Sequence, residues 1–127
     1  MKTITLFILL SINLLISWCD DGNILLYDNI TVVNLSDDTI HLAKEDRFFF
    51  LCHVAPKDST SGSDVAIIKN YEEQKRPESE LHLLVYKQST CQKYGEEVLF
   101  YKDVYDARFD YTYTELKEKN FRIVYEE

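Results

Sequence analysis

Leu81 to Tyr86 reads LHLLVY, apolar at every position except His82. The run is short and rich in residues that suit a pleated surface. Polar residues follow from Gln88 to Glu97, with Gly95 among them, and read as a turn region around Cys91. A short, almost wholly apolar run bounded in this way reads as a strand buried on both faces. Arg47 to Val54, RFFFLCHV, has the same character and reads as a second central strand.

The neighbouring segments extend this pattern. Upstream, Ile24 to Tyr27 reads as a short strand and Asp28-Asn29 as a turn. Ile30 to Val33 is β-rich, and Thr39 to Ala43 alternates as a strand does. Between the two buried runs, 56–64 (PKDSTSGSD) reads as an exposed loop. Val65 to Tyr71 fits a strand, or a short helix capped by Ser63 and stopped by Pro77; the helix is preferred. The polar stretches 56–64 and 72–80 are the least specified part of the chain. Downstream, Val98 to Tyr101 reads as a strand. Arg108 to Thr114 alternates, with Phe109, Tyr111 and Tyr113 on one face; Phe121, Ile123 and Tyr125 do the same in a last strand. The fold class is therefore all-β: an antiparallel β-sandwich of about seven or eight strands, with room for one short helix.

Residues 1–19 differ from everything after them. Lys2 is followed by an apolar run from Ile4 to Ile16, and the sequence turns acidic at Asp20. This is the layout of a secretory signal peptide, and the run is too short for a permanent membrane span. The reading is a signal peptide over 1–19 and one secreted, extracellular domain over 20–127. Cleavage fits after Ser17 or after Cys19. The second is preferred because it leaves an even pair, Cys52 and Cys91, in an oxidising compartment. A bridge between them is expected, stabilising by roughly 3–4 kcal/mol on loop entropy.

The formal charge is −8 with no cluster of Lys or Arg, which argues against nucleic acid and anionic membrane surfaces as partners. Asn29-Ile30-Thr31 and Asn34-Leu35-Ser36 are N-glycosylation acceptors in a eukaryotic cell. His41, His53 and His82 lie on separate predicted strands without HxH or HExxH spacing, so no metal site is expected. No nucleophile elbow surrounds any serine, and the carboxylates show no pairing pattern. Neither a catalytic centre nor a cofactor is expected. Tyr111 and Tyr113 are the candidate contact residues, because tyrosine gives a large amphipathic surface; ordinary sheet packing is the competing explanation.

Several short motifs together resemble the nematode transthyretin-like family. Leu26-Tyr27-Asp28 is similar to its early leucine-tyrosine-acid triplet. Leu83 to Tyr86 followed by Cys91 is similar to its apolar strand leading through a tyrosine to a cysteine. Val98-Leu99-Phe100 with Tyr105, and Phe109-Asp110 with Leu116, resemble the motifs that follow. The tyrosine-to-cysteine spacing is longer here, and Pro56 to Glu80 looks like an insertion. The resemblance implies a small secreted sandwich that binds something outside the cell, either a protein or a small apolar ligand. An immunoglobulin- or receptor-like sandwich binding a host or cell-surface protein is the alternative. It lacks a Trp after residue 18 and has Ser89, not tyrosine, two residues before Cys91. A small hydrolase built on dispersed His, Asp and Tyr is the third reading.

Overall fold

The computed structural model describes residues 26–69, 79–101 and 103–127. Residues 1–19, for which a signal peptide is expected, and the polar residues 70–78 lie outside them. The described chain forms β1 (Tyr27–Asn29), β2 (Thr31–Asn34), β3 (Ile40–Lys44), β4 (Cys52–Val54), β5 (Ala66–Ile68) and β6 (Glu80–Lys87). Helix α1 (Gln88–Tyr94) and a 3-10 helix (Gly95–Phe100) come next, then β7 (Ala107–Thr112), α2 (Tyr113–Glu118) and β8 (Arg122–Tyr125). The fold is all-β and sandwich-like. A four-stranded antiparallel sheet in the order β4-β3-β6-β7 faces two strand pairs, β1-β5 and β2-β8. The β2-β8 pair is parallel, with Val32 opposite Ile123 and Asn34 opposite Tyr125.

β6 carries the LHLLVY run and lies between β3 and β7. Its side chains alternate between two cores, which is why the run is apolar throughout. Leu81, Leu83 and Val85 enter the larger core with Ile40, Leu42, Val32, Ile123 and Tyr125. Leu84 and Tyr86 enter a smaller core on the opposite face with Ala43, Val98 and Leu99. That opposite face is the outer face of the sandwich.

Several elements differ from the sequence reading. RFFFLCHV is not a central strand: β4 covers only its last three residues and sits at the sheet edge. Phe48 and Phe49 are exposed, while Phe50 turns inward and meets the Tyr86 ring edge-on at 5.7 Å. Asp28-Asn29 is strand, not turn, and Ala66–Ile68 is strand, not helix; each supplies the other's partner in an antiparallel pair. The segment after β6 is helical. Gly95, at φ 75°, ends α1, because the left-handed conformation there suits a residue without Cβ. Val98 to Phe100 then form 3-10 turns rather than a strand. Tyr113 starts α2 instead of continuing β7. Thr112 accepts from the Glu115 amide while the Glu115 carboxylate takes the Thr112 N–H, a capping box that terminates the strand.

The 56–64 loop also does more than its polarity implies. Thr60 is 9% exposed. Its hydroxyl accepts from the Val32 N–H at 2.8 Å and donates to the Ile30 carbonyl at 3.2 Å. Its own N–H donates to the Val32 carbonyl at 3.0 Å, and Asn34 N–H donates to the Asp58 carbonyl at 2.8 Å. The loop therefore closes the free edge of β2. Thr60→Val keeps the shape and removes the hydroxyl, leaving the buried Val32 N–H without its partner. The expected cost is about 1–3 kcal/mol. Urea unfolding measures it, and an unchanged midpoint would remove this latch.

Candidate functional site

The sequence candidates separate in space. β7 places Phe109 and Tyr111 against the larger core, with the two rings stacked at 6.3 Å. Tyr113 also packs on that core, its ring 5.5 Å from Phe121 and its hydroxyl donating to the Asp28 carboxylate. Both candidate tyrosines are half-buried, and the aromatic side of β7 is the core side. Lys119 lies 5.4 Å from the centre of the Tyr111 ring, covering part of its remaining surface.

The bridge expected between Cys52 and Cys91 is not formed; both are free thiols. Cys52 borders the larger core and Cys91, on α1, borders the smaller one. The sheet stands between them, and neither spacing nor parity in the sequence reveals that. Burial pushes the Cys52 thiol up to about 11 and raises that of Cys91 as well. Both stay protonated, so neither is a ready nucleophile.

The two glycosylation acceptors also part. Asn29 lies exposed on β1. Asn34 is fully buried and belongs to the framework. Its Nδ2 donates to the carbonyls of Asp38 at 2.8 Å, Val54 at 3.0 Å and Ala55 at 3.2 Å. Its Oδ1 accepts from the Ser36 N–H at 3.0 Å and from the Ser36 hydroxyl at 2.6 Å. A sugar on Nδ2 would displace these bonds, so the expectation of a glycan at Asn34 is corrected.

The outer face carries what the sequence did not disclose. Cross-strand register sets His82 on β6 opposite Asp110 on β7 and Leu84 opposite Arg108. His82 Nδ1 lies 2.6 Å from the Asp110 carboxylate and Nε2 lies 3.1 Å from that of Glu80. Arg108 Nε donates to both Asp110 oxygens, at 3.0 and 2.8 Å. Its other two nitrogens form a fork onto Glu45, at 2.8 and 2.7 Å. The bond to Asp110, with a smaller one to Glu80, raises the His82 pKa. The Arg108 guanidinium holds the carboxyls of Asp110 and Glu45 below their ordinary values. Each nitrogen of His82 faces a carboxylate, which favours the doubly protonated ring. Such a ring keeps no lone pair to take a proton from a substrate. Beside this network runs an open groove of about 450 Å³, lined in part by Tyr27, Lys44, Glu45, Glu80 and His82.

Further along the same face lies an aromatic platform. Phe48, from the β3–β4 connection, and Phe100, at the end of the 3-10 helix, stack with ring centres 5.6 Å apart and planes 24° apart. They remain 65% and 67% exposed. Phe49 is exposed beside Phe48 in the chain, and Tyr101, next to Phe100, contacts the Tyr94 ring at 6.0 Å. The buried neighbours Val98 and Leu99 anchor the 3-10 helix to the smaller core and turn Phe100 outward. Exposed Glu96, Glu97 and Asp46 occupy the same two segments.

Among the described residues no helix is long and apolar enough to cross a membrane. Compared with known protein families, curated proteins and solved structures, the chain matches none.

Proposed function

We propose that this chain is a secreted, non-enzymatic binding protein that engages an extracellular protein through the platform of Phe48, Phe49 and Phe100. One observation carries the reading. Two phenylalanines from distant segments are held against each other while about two-thirds of each stays in water. Aromatic side chains fixed in this way are the usual anchors of protein interfaces, because they bring apolar area at little cost in ordering. The acidic residues on the two platform segments, and the net charge of −8, favour a partner with a basic rim around an apolar patch. The leader-like residues 1–19 and the exposed acceptor Asn29 support an extracellular setting. A sandwich suits both a transthyretin-like and an immunoglobulin-like origin, so the proposal rests on the surface and not on descent.

The test is recovery of extracellular partners by the immobilised protein and by its Phe48→Ala/Phe100→Ala variant. The variant should keep its circular dichroism spectrum, since both rings are largely exposed. Partner affinity should fall by about thirtyfold or more, the loss of a hot spot of about 2 kcal/mol. Undiminished recovery by the folded variant would move the contact surface elsewhere.

A further inference from the structure

We propose that His41 and His53 form a binding site for a divalent transition-metal ion of the zinc, nickel and copper class. The two histidines sit directly opposite each other in the β3–β4 pair. Their neighbours Ile40, Leu42, Cys52 and Val54 belong to the larger core. By alternation both imidazoles therefore project from the outer face. Their ring centres are 6.0 Å apart. An ion held by metal–nitrogen bonds of about 2.0–2.1 Å needs the two rings slightly closer, and rotation of the exposed His53 side chain closes that gap.

Gln88 supplies an independent observation. Its N–H donates to the Thr39 carbonyl at 2.8 Å, which seats the start of α1 over the beginning of β3. Its side-chain carbonyl oxygen meets Nε2 of His41. A carbonyl oxygen only accepts, so Nε2 is the donor and Nδ1 is the nitrogen left to offer a lone pair in the neutral ring. Metal-binding histidines characteristically have this arrangement, in which an acceptor on one ring nitrogen orients the other toward the ion. Phe50, 5.1 Å from the His41 ring, holds the imidazole from another side. Core packing accounts for a half-buried His41 but not for an exposed His53 beside it. His82 is built differently, with both nitrogens committed to carboxylates.

Among the described residues no group of three or more His, Cys, Asp or Glu side chains converges as a metal cage. The site thus offers two imidazoles, with its other coordination positions open to water or to an external ligand. Such an ion exchanges; it does not staple the fold.

Calorimetric titration of the tag-free, chelator-treated mature protein with zinc chloride tests the site. One ion per chain is the expected result. His53→Asn and His41→Asn should each weaken binding by at least about tenfold, and Gln88→Leu by about tenfold or more with both imidazoles retained. His82→Asn should change nothing. In parallel, the NMR ring signals of His41 and His53 should move with zinc while those of His82 stay. Absence of saturable uptake, uptake indifferent to His53→Asn, or uptake abolished by His82→Asn would each overturn the proposal. If His41→Asn does not fold, the exposed His53 position decides.

Discussion

Asn34→Asp should cost the fold about 3–5 kcal/mol, although it exchanges one NH₂ group for an oxygen of almost the same size. Asn34 is inaccessible to water. Its NH₂ group spans three backbone carbonyls, those of Asp38, Val54 and Ala55, with one hydrogen shared. It therefore ties the end of β2 to the turn that follows it and to the end of β4. A carboxylate donates nothing. It would aim negative oxygen at three carbonyl oxygens in a dry site, and a buried, unpaired charge costs about 3–5 kcal/mol. Domains of this size hold about 5–15 kcal/mol in total. Urea unfolding should therefore show a large fall in the midpoint, the loss being a substantial fraction of the total stability. Ser36→Ala is the informative control. It removes one donor to Oδ1, while the Ser36 N–H remains, so its loss should be about 1 kcal/mol. Near-native stability of Asn34→Asp would show that the three carbonyls have other partners.

Leu83→Ala is the second severe change. Leu83 is fully buried at the middle of β6, with Lys44 of β3 and Phe109 of β7 as its strand neighbours. Strands flank it on both sides and the facing strand pairs cover it, so little can collapse into the space left behind. Deleting a leucine side chain at such a position costs about 2–5 kcal/mol. Phe49→Ala removes a larger side chain, yet Phe49 is exposed and the loss should stay within about 0.5 kcal/mol. Thermal unfolding of the pair checks the contrast. Equal losses would mean that the β3–β4 connection is packed and not presented to solvent.

That contrast also explains how the sequence could mislead. LHLLVY and RFFFLCHV look alike, because a short apolar run reports that something will cover it without saying whether the cover belongs to this chain. For Leu83 the cover is two layers of the same fold. Phe48 and Phe49 stay more than half exposed, Phe48 even with the Phe100 ring stacked on it. The arrest of β7 at Thr112 was legible, since Thr112-Tyr113-Thr114-Glu115 is a helix-start signature, but the alternating tyrosines hid it. The role of Asn34 was not legible. Its partners at Val54 and Ala55 are fixed by how β3 and β4 pair, while the local Asn-Leu-Ser triplet points to an unrelated chemistry. The same holds for His82 with Asp110 and for His41 with His53. Each pair is made by register between strands, and register is set by the whole sheet.

The parallel pairing of β2 with β8 has a consequence for how the molecule is made. β2 is synthesised well ahead of β8, since Thr31 lies opposite Arg122. Until Ile123 arrives opposite Val32, the nascent chain carries an unfilled strand edge and a larger core that lacks Ile123 and Tyr125. The segments between the two strands must therefore wait, unlocked, until β8 has been made. Such delayed, long-range closure slows folding and leaves strands exposed until it occurs. Docking of β8 on β2 becomes the event that commits the molecule to its native form.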